Sequence, residues 1–249
     1  MNIVVCVKRV PDTETRIRVA ADASGIQTDG VKYIMSPYDE FALEAGLQTK
    51  EALGAGEVAL ITLGDASAAE TLRQGLAMGA DRATLLRGPL SEDGLATAKT
   101  LADELAGADA PLILLGVKAA DDDQQQVGPM LATLLDRPCA TGVAEFEVEG
   151  DVVRCERDVE GGTEVLELPL PAVLTITKGK YVPRYASLKG IMAAKKKPLE
   201  EKDASSHESR LAVQRMEEPA ARPDGRIVGE GVAAVPELVR LLREEAKVL

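Results

Sequence analysis

Short, predominantly apolar runs that alternate with helix-like stretches constrain the fold of this chain more than any other feature of its sequence. The apolar runs lie at residues 3–8, 57–63, 83–86 and 111–115. They are too short for helices and lack the polar alternation of a half-exposed strand, so we expect strands that are buried on both faces. Stretches with helical spacing separate or follow them at residues 37–53, 65–78, 91–105 and 124–135. The pattern predicts a parallel sheet covered by helices on both sides.

Capping residues mark the ends of some of these helices. Ser36 precedes Pro37 at the first helical position, and Gly54 follows the last one. Proline just inside the start and glycine just past the end are typical of helix boundaries. Ser91 is the expected N-cap of the helix at 91–105.

The predicted sheet also predicts where a ligand binds. Open parallel sheets bind ligands at the carboxyl ends of their strands, near the point where the strand order reverses. The loops that follow Val7, Leu63 and Leu115 are therefore the expected binding positions.

The pattern changes after Pro138. Residues 146–148, 152–157 and 164–168 alternate in polarity with turns between them, which predicts antiparallel additions to the sheet, and a further buried strand follows at 172–177. From about Lys195 to Val235 the chain is polar and is predicted to be irregular. A final amphipathic helix at 236–247 carries Leu238, Leu241, Leu242 and Ala246 along one side. This arm packs either on its own core or on a partner chain, and the sequence leaves both open.

Composition excludes several classes of function. The net charge of −12 and the aromatic content of 2% disfavour nucleic-acid binding, which needs a basic surface and often stacking rings. The single histidine, His207, lies in a polar stretch without the partners of a metal site or catalytic triad. The three cysteines form no CxxC pair, as is typical of a reducing compartment. We expect a cytoplasmic protein, because no apolar run is long enough to span a membrane and no secretory signal pattern is present.

The segment 116–128 is the strongest candidate for a ligand site. A buried run ends at Gly116, a loop then passes through the carboxylates of Asp121, Asp122 and Asp123, and a helix follows. Backbone N–H groups at a helix start bind anions, and glycine lets a ligand approach the backbone. The carboxylates either cap the helix or accept hydrogen bonds from ribose hydroxyls. Neither GxGxxG after the first strand nor GxxxxGK[ST] occurs, which disfavours the ordinary dinucleotide and P-loop folds.

A second segment, at 183–198, is basic in an otherwise acidic protein. Its apolar members recur at three- and four-residue spacing, which indicates a short helical stretch; they are Tyr185, Leu188, Ile191 and Met192. Such a stripe is usually core and a lysine run is usually solvated. Their occurrence together beside a polar arm favours a protein-docking element.

These two segments, with several others, closely resemble the beta subunit of electron transfer flavoproteins. The most family-specific stretch is PRYASLKGIMAAKKKP at 183–198. The supporting stretches are VKRVPD at 7–12, GVKYIMSP at 30–37, AMGADR at 77–82, ERDVEGG at 156–162 and LPAV at 170–173. The resemblance extends from residue 1 to at least residue 200.

The resemblance implies a doubly wound parallel α/β domain, Rossmann-like and similar to adenine-nucleotide hydrolases, with antiparallel additions and a C-terminal arm. The domain would span residues 1–195, and the arm, residues 196–249, would pack on an alpha subunit. The chain would be a non-catalytic electron carrier subunit that binds AMP and shares FAD with the alpha subunit. Electrons would pass from acyl-CoA dehydrogenases of fatty acid beta-oxidation and related flavin dehydrogenases to a membrane-bound electron transfer flavoprotein quinone oxidoreductase.

Position by position, the resemblance implies three sets of site residues. The AMP set is Cys6, Ser36, Pro37, Tyr38, Asp39, Leu63, Gly116, Val117, Lys118, Ala119, Ala120, Asp121, Asp122, Asp123, Gln124, Gln125, Gln126 and Val127. Thr13 and Tyr38 would lie near the flavin. The docking set, in a loop at 183–197, is Tyr185, Leu188, Ile191, Met192, Lys195, Lys196 and Lys197. Leu188 matches the leucine that inserts into the dehydrogenase.

Other interpretations remain open at this point. Electron-bifurcating members of the family hold a second FAD in place of AMP and tend to have glycine at the middle acidic position, where this chain has Asp122. A free-standing nucleotide sensor on the same fold would lack the docking loop and the polar arm. A hydrolase would need a phosphate-gripping loop after the first strand, and KRVPDT at 8–13 is not one.

Overall fold

The structure is a computed structural model that describes residues 1–89, 93–221 and 224–249. Its strands are β1 Ile3–Cys6, β2 Arg9–Pro11, β3 Tyr33–Met35, β4 Val58–Gly64, β5 Arg82–Arg87, β6 Leu112–Gly116, β7 Cys139–Glu149, β8 Val152–Val159, β9 Gly162–Pro169, β10 Ala172–Ile176 and β11 Leu199–Asp203. Its helices are α1 Pro37–Leu53, α2 Ala68–Met78, α3 Gly94–Leu105, α4 Val127–Leu134, α5 Leu188–Ala194 and α6 Val235–Glu244.

Nine of these strands form one sheet in the order β11-β5-β4-β1-β6-β10-β7-β8-β9. The strands from β11 to β7 in this order are parallel, and β8 and β9 are antiparallel. After β1 the chain builds β4 and β5 on one side, then returns to build β6 on the other. The strand order therefore reverses between β1 and β6. The prediction of a doubly wound parallel sheet with antiparallel additions is confirmed.

The central strands β1, β4, β6 and β10 are buried on both faces, which explains why they are almost wholly apolar. Ile3 and Val5 of β1 pack into one core with buried residues of α1 and α2. Val4 and Cys6 of the same strand pack into a second core with residues of α3 and α4. Because successive strand residues point to opposite faces, a strand between two cores can carry no polar alternation.

The helix boundaries confirm part of the sequence prediction. Helix α1 begins at Pro37 and ends before Gly54, whose φ of 69° is the left-handed conformation that favours glycine. Ser36 is at the N-cap of α1, but its side chain makes no capping hydrogen bond. Ser91 lies outside the described residues; α3 is capped by Asp93, whose carboxylate accepts from the Leu95 N–H.

Two segments differ from their predicted conformation. Residues 199–203, predicted to be irregular, form the edge strand β11, which pairs with β5. A strand at a sheet edge faces solvent, so it tolerates the polar sequence LEEKD that hid it. Strands β2 and β3 form a separate antiparallel ribbon that the sequence analysis did not identify. Within the described parts of the chain, no helix has the length and apolar character needed to cross a membrane.

Candidate functional site

A cleft lies at the carboxyl ends of β1, β4 and β6, where the topology predicts a ligand. Its walls are the loops that follow these strands and the N-terminal parts of α3 and α4. The cavity measures about 170 Å³, against roughly 10–15 Å³ for one water molecule on the same kind of measure. The cleft therefore has room for a small organic ligand.

A buried carboxylate joins the two strands between which the sheet order reverses. Asp39, in the first turn of α1, is 6% exposed. Its Oδ2 accepts the Lys8 backbone N–H at 2.7 Å, and its Oδ1 accepts the Gly116 N–H at 3.0 Å. These two donors follow β1 and end β6, so one side chain fixes the distance between the two loops that form the cleft.

The cleft contains ionisable groups whose burial disfavours charge. Burial raises the pKa of the Asp39 carboxyl to about 7, although the hydrogen bonds from Lys8 and Gly116 oppose the rise. Burial, reinforced by the nearby Asp39 charge, raises the pKa of the Cys6 thiol. Cys6 therefore lines the cleft as a neutral group, and its thiolate is not available as a nucleophile.

Glycine at position 116 is required by close packing. A Cβ atom there would lie 2.5 Å from Asp39 Oδ1 and 2.7 Å from both the carbonyl carbon and the Cβ of Tyr38. A side chain at this position would displace the start of α1 and break the hydrogen bonds to Asp39. The glycine that sequence analysis interpreted as a ligand-approach position therefore also lets α1 approach the end of β6.

The carboxylates of the loop after β6 form ion pairs and do not cap α4. Lys8 Nζ lies 2.9 Å from Asp121 Oδ1 and 2.8 Å from Asp122 Oδ2. Asp123 pairs with Lys118 at 2.7 Å. Helix α4 begins at Val127, three residues later than predicted, and its N-cap is Gln126. The three carboxylates therefore lie too early in the loop to be its N-cap. The interpretation of Asp121–123 as helix caps is wrong.

The Lys8 ammonium gives the cleft a cation that was not in the predicted AMP set. Burial opposes its charge, but hydrogen bonds to Asp122 and Asp121 raise the pKa of Lys8 above its ordinary value. Lys8 therefore stays protonated and offsets part of the negative charge of the loop. The N-cap residue of α4, Gln126, makes no side-chain cap hydrogen bond, and Gln126, Val127 and Gly128 also line the cleft.

Most residues of the predicted AMP set lie together around the cleft. Those that line it are Cys6, Asp39, Leu63, Gly116, Val117, Lys118, Ala119, Asp121, Asp122, Gln124, Gln125, Gln126 and Val127. Ser36, Pro37, Tyr38, Ala120 and Asp123 belong to the same loops and helix start but are not among the lining residues. The lining residues that were not predicted are Val7, Lys8, Ile61, Thr62, Gly94, Thr97, Leu101, Leu115 and Gly128.

Six of the lining residues outside the predicted set are of two kinds. Val7, Lys8 and Leu115 adjoin predicted strand ends, and the rule that ligands bind there could have included them. Gly94, Thr97 and Leu101 lie on α3, and only the three-dimensional packing of that helix over β4 shows that they reach the cleft.

Ser36 carries a buried hydroxyl without a hydrogen-bond partner. The residue is fully buried, and its Oγ is a buried polar side-chain atom for which no partner exists among the described residues. Its backbone N–H donates to the Lys8 carbonyl at 2.9 Å, so it lies beside the loop that follows β1. Buried polar atoms are rarely left unpaired, but Ser36 does not line the cleft, so a molecule in the cleft would not contact its hydroxyl.

The residues expected near a flavin lie on the neighbouring surface. Thr13 is exposed in the chain that follows β2, and Tyr38 is half-buried at the start of α1. Lys118 Nζ lies 5.6 Å from the centre of the Tyr38 ring.

The predicted docking segment forms an exposed surface. Residues 188–194 form α5, which packs against α2, so the predicted short helical stretch is confirmed for Leu188, Ile191 and Met192, whereas Tyr185 lies before the helix. Tyr185 is 98% exposed, Leu188 84% and Met192 64%, so these side chains are not core. Ile191 is also exposed, as are Lys195 and Lys196. Lys197 differs, because its ammonium donates to the Leu76 and Ala80 carbonyls at the end of α2.

Known proteins are similar to this chain over its whole length. A profile described as "Electron transfer flavoprotein domain" matches residues 24–207. The chain is 43% identical to an electron transfer flavoprotein subunit beta of Bradyrhizobium diazoefficiens, and 40% identical to one of Bacillus subtilis; each alignment covers 100% of both chains. It is 38% identical to the subunit beta of Homo sapiens, over 100% of this chain and 99% of the human one.

Alanine at position 116 should destabilise the protein. Because the new Cβ would collide with Asp39 and Tyr38, we expect Gly116→Ala to lower the free energy of unfolding by about 1–3 kcal/mol. The control is Gly107→Ala, where a Cβ meets no atom within 4 Å. Urea unfolding of both variants is the measurement, and equal stability of the two would contradict the proposed packing.

Replacing Asp39 with Asn should change how stability depends on pH. The folded pKa of about 7 lies above the ordinary 3.8, so between these values the folded state retains a proton that the unfolded state has released. The Asp39 contribution to the free energy of unfolding therefore falls as pH rises from about 4 to 7, by up to about 1.4 kcal/mol per pH unit.

Urea unfolding at pH 5, 6, 7 and 8 measures this effect. The difference in stability between wild type and Asp39→Asn should shift in favour of the variant as pH rises to 7 and then become constant. The matched control is Asp123→Asn, at an exposed carboxylate of the loop after β6. A wild type and an Asp39→Asn variant with parallel pH profiles would show that Asp39 does not titrate in this range.

Proposed function

The chain belongs to the electron transfer flavoprotein family as a beta subunit, and we propose that it is the nucleotide-binding subunit of a heterodimeric electron carrier. The observation that carries the proposal is the cleft at the reversal point of the sheet, held together by Asp39 and backed by Gly116. The cleft lacks the Gly-rich phosphate-transfer loops of a P-loop or a dinucleotide fold. The cleft supports binding of a nucleotide. In this proposal the chain binds the nucleotide without catalytic residues of its own.

We propose AMP as the ligand of the cleft. Two features of the described residues fit it. Asp121 and Asp122 are acceptors of the kind that bind ribose hydroxyls, and Lys8 reduces the repulsion that their charges would exert on a phosphate. The start of α4 presents backbone N–H groups suited to an anion.

FAD in this proposal is shared with an alpha subunit. When bound, the flavin supplies the redox chemistry, and this chain contributes residues that cover one side of it. Thr13 and Tyr38 are the proposed contributors, and both are accessible on the surface. The relatives are named as beta subunits of flavoproteins, and that name supports an alpha partner and a flavin.

We propose that the arm at 196–249 packs on the alpha subunit. Its terminal helix α6 is amphipathic, yet only Leu241 is buried, and Val235 and Leu238 remain 49% and 43% exposed. An amphipathic helix with an exposed apolar side is typical of a helix that packs on another chain. The first part of the arm, β11, also completes the sheet of this chain.

The proposed electron donors are acyl-CoA dehydrogenases and related flavin dehydrogenases, and the proposed acceptor is a membrane-bound electron transfer flavoprotein quinone oxidoreductase. The docking surface of 185–196 supports a protein partner, because Tyr185, Leu188 and Met192 expose large apolar side chains beside Lys195 and Lys196. Apolar anchors with a charged rim are typical of transient docking sites. A cytoplasmic location stays a prediction.

A second candidate is the electron-bifurcating class, with a second FAD in the cleft. Asp122 favours AMP, because it forms an ion pair with Lys8 that glycine at this position could not form. A free-standing nucleotide sensor is less well supported, since it has no need for an exposed apolar docking segment.

The AMP proposal predicts one AMP per heterodimer, not turned over. We expect mass spectrometry of the small molecules released from denatured heterodimer to find AMP and FAD at about equal amounts. Lys8→Met should lower the AMP content, because it leaves two carboxylates without their cation, while Lys32→Met, at an exposed ion pair outside the cleft, should not. Two FAD and no AMP would assign the bifurcating class, and rapid hydrolysis of added ATP would contradict a non-catalytic subunit.

The docking proposal predicts a specific loss when Leu188 is truncated. A buried leucine anchor contributes about 1.5–3 kcal/mol, so Leu188→Ala should raise the half-saturating carrier concentration roughly ten- to a hundredfold. Flavin content and spectrum should not change. The measurement is dye-coupled acyl-CoA dehydrogenase turnover against carrier concentration, and Leu134→Ala, at an exposed leucine of α4, is the control.

Replacing both exposed lysines, Lys195 and Lys196, by Gln should act mainly on the association rate and weaken its dependence on salt. For the Leu188→Ala prediction, an unchanged half-saturating carrier concentration, or loss of flavin from the variant, would contradict the docking assignment.

A further inference from the structure

The docking segment of 185–196 is held against the rest of the domain by hydrogen bonds at both of its ends and by ion pairs at the first of them. We propose that Arg184 is a positioning residue that, through Glu44 and Glu51, holds this segment in its docking conformation before a partner arrives. The inference rests on the proposed docking function and deepens it, because it states how the surface is prepared.

Arg184 forms the tie at the N-terminal end. Its Nε and Nη2 donate to the two carboxylate oxygens of Glu44 at 2.8 and 2.9 Å. Its Nη1 donates to Glu51 Oε1 at 2.6 Å. Glu44 and Glu51 lie seven residues apart on α1, two turns along one face. A single guanidinium therefore bridges two turns of a core helix.

The buried position of the Glu44 carboxylate disfavours its charge, and its hydrogen-bond partners offset that effect. Its side chain is 4% exposed, and burial opposes its ionisation. The hydrogen bonds from Arg184 and Gln48 nevertheless hold the pKa of Glu44 below its ordinary value. A buried carboxylate is strongly destabilising without its partner, so the fold favours conformations in which Arg184 stays in place.

At the C-terminal end of the segment, a cation from α2 and a cation just after α5 each donate hydrogen bonds to carbonyls at the end of the other helix. Arg73 of α2 donates to the Ala194 and Lys197 carbonyls at the end of α5, at 2.6 and 2.9 Å. Lys197, just after α5, donates to the Leu76 and Ala80 carbonyls at the end of α2. Each helix thus supplies a cation for the unpaired carbonyls of the other.

The short helix between these ties is also fixed against α2. Gly190 lies so close that a Cβ there would be 2.4 Å from the Ala77 carbonyl oxygen. Ser187 caps the helix, because its hydroxyl accepts from the Gly190 N–H at 3.0 Å. The backbone of the segment is therefore held at its start, middle and end, while Tyr185, Leu188 and Met192 remain exposed.

This arrangement has a consequence for binding. Ordering a flexible loop on docking costs free energy that subtracts from affinity. A segment that is already ordered avoids that cost, so a small apolar surface can bind with useful affinity and still release quickly. Arg184 contributes to docking in this way without itself being the apolar anchor.

The conservative variant Arg184→Lys separates positioning from charge. Lysine keeps the positive charge, but its single ammonium cannot reproduce the planar fork that reaches both glutamates. If charge alone mattered, lysine would restore wild-type behaviour. Glu51→Gln is a milder second variant, because Glu51 is exposed and its loss leaves Arg184 on Glu44. Arg82→Lys, at an exposed pair with Glu57, is the matched control.

The experiment uses the holo heterodimer and two measurements. Hydrogen exchange of peptides covering 185–196 reports the order of the segment without any dehydrogenase. Dye-coupled acyl-CoA dehydrogenase turnover against carrier concentration reports docking. We expect Arg184→Lys to speed exchange in this segment about tenfold or more, and to raise the half-saturating concentration about three- to tenfold with the maximal rate unchanged. Glu51→Gln should show the same changes to a smaller extent.

Leu188→Ala distinguishes this inference from the proposed function. It should raise the half-saturating concentration while leaving exchange unchanged, because it removes an anchor and no tie. If Leu188→Ala has no effect on docking, the proposed docking function fails. Hydrogen exchange in Arg184→Lys still tests whether Arg184 orders the segment. Wild-type exchange in Arg184→Lys, or faster exchange with unaltered docking, would overturn the positioning role.

Discussion

The Asp39 carboxylate is the contact on which the site depends. It accepts one backbone N–H after β1 and one at the end of β6, the two strands between which the chain reverses direction across the sheet. Parallel strands at such a point diverge into separate loops, and a cleft between them has no fixed width unless something spans it. A buried carboxylate with two backbone donors spans it at the cost of burying a charge. The absence of a side chain at Gly116 makes that contact possible.

Helix α1 connects this cleft with the docking surface. Its first turn carries Asp39 into the cleft, and later turns carry Glu44 and Glu51 to Arg184. Its core side is packed against β1 and β6. One rigid helix therefore fixes both the nucleotide-sized cleft and the proposed docking segment relative to the same sheet.

Local patterns predicted the elements, and packing decided the details that patterns do not contain. The apolar runs predicted the strands because both faces of the sheet are buried, and Pro37 and Gly54 predicted the ends of α1. Strand β11 was missed because an edge strand can be polar. The pairing of Lys8 with Asp121 and Asp122 joins residues more than a hundred positions apart. Without an expectation of that pairing, the carboxylates seemed to be helix caps. The family resemblance supplied the ligand and partner proposals, which sequence spacing alone could not.

Hydrogen exchange of the heterodimer, stripped of nucleotide and then titrated with AMP, tests the central claim most directly. If the cleft at the reversal point is the nucleotide site, AMP will slow exchange in peptides covering residues 6–8, 36–39 and 116–128, and the docking segment at 185–196 will not respond. Saturating AMP that leaves the loop after β6 unprotected, or that protects only another part of the chain, would contradict it.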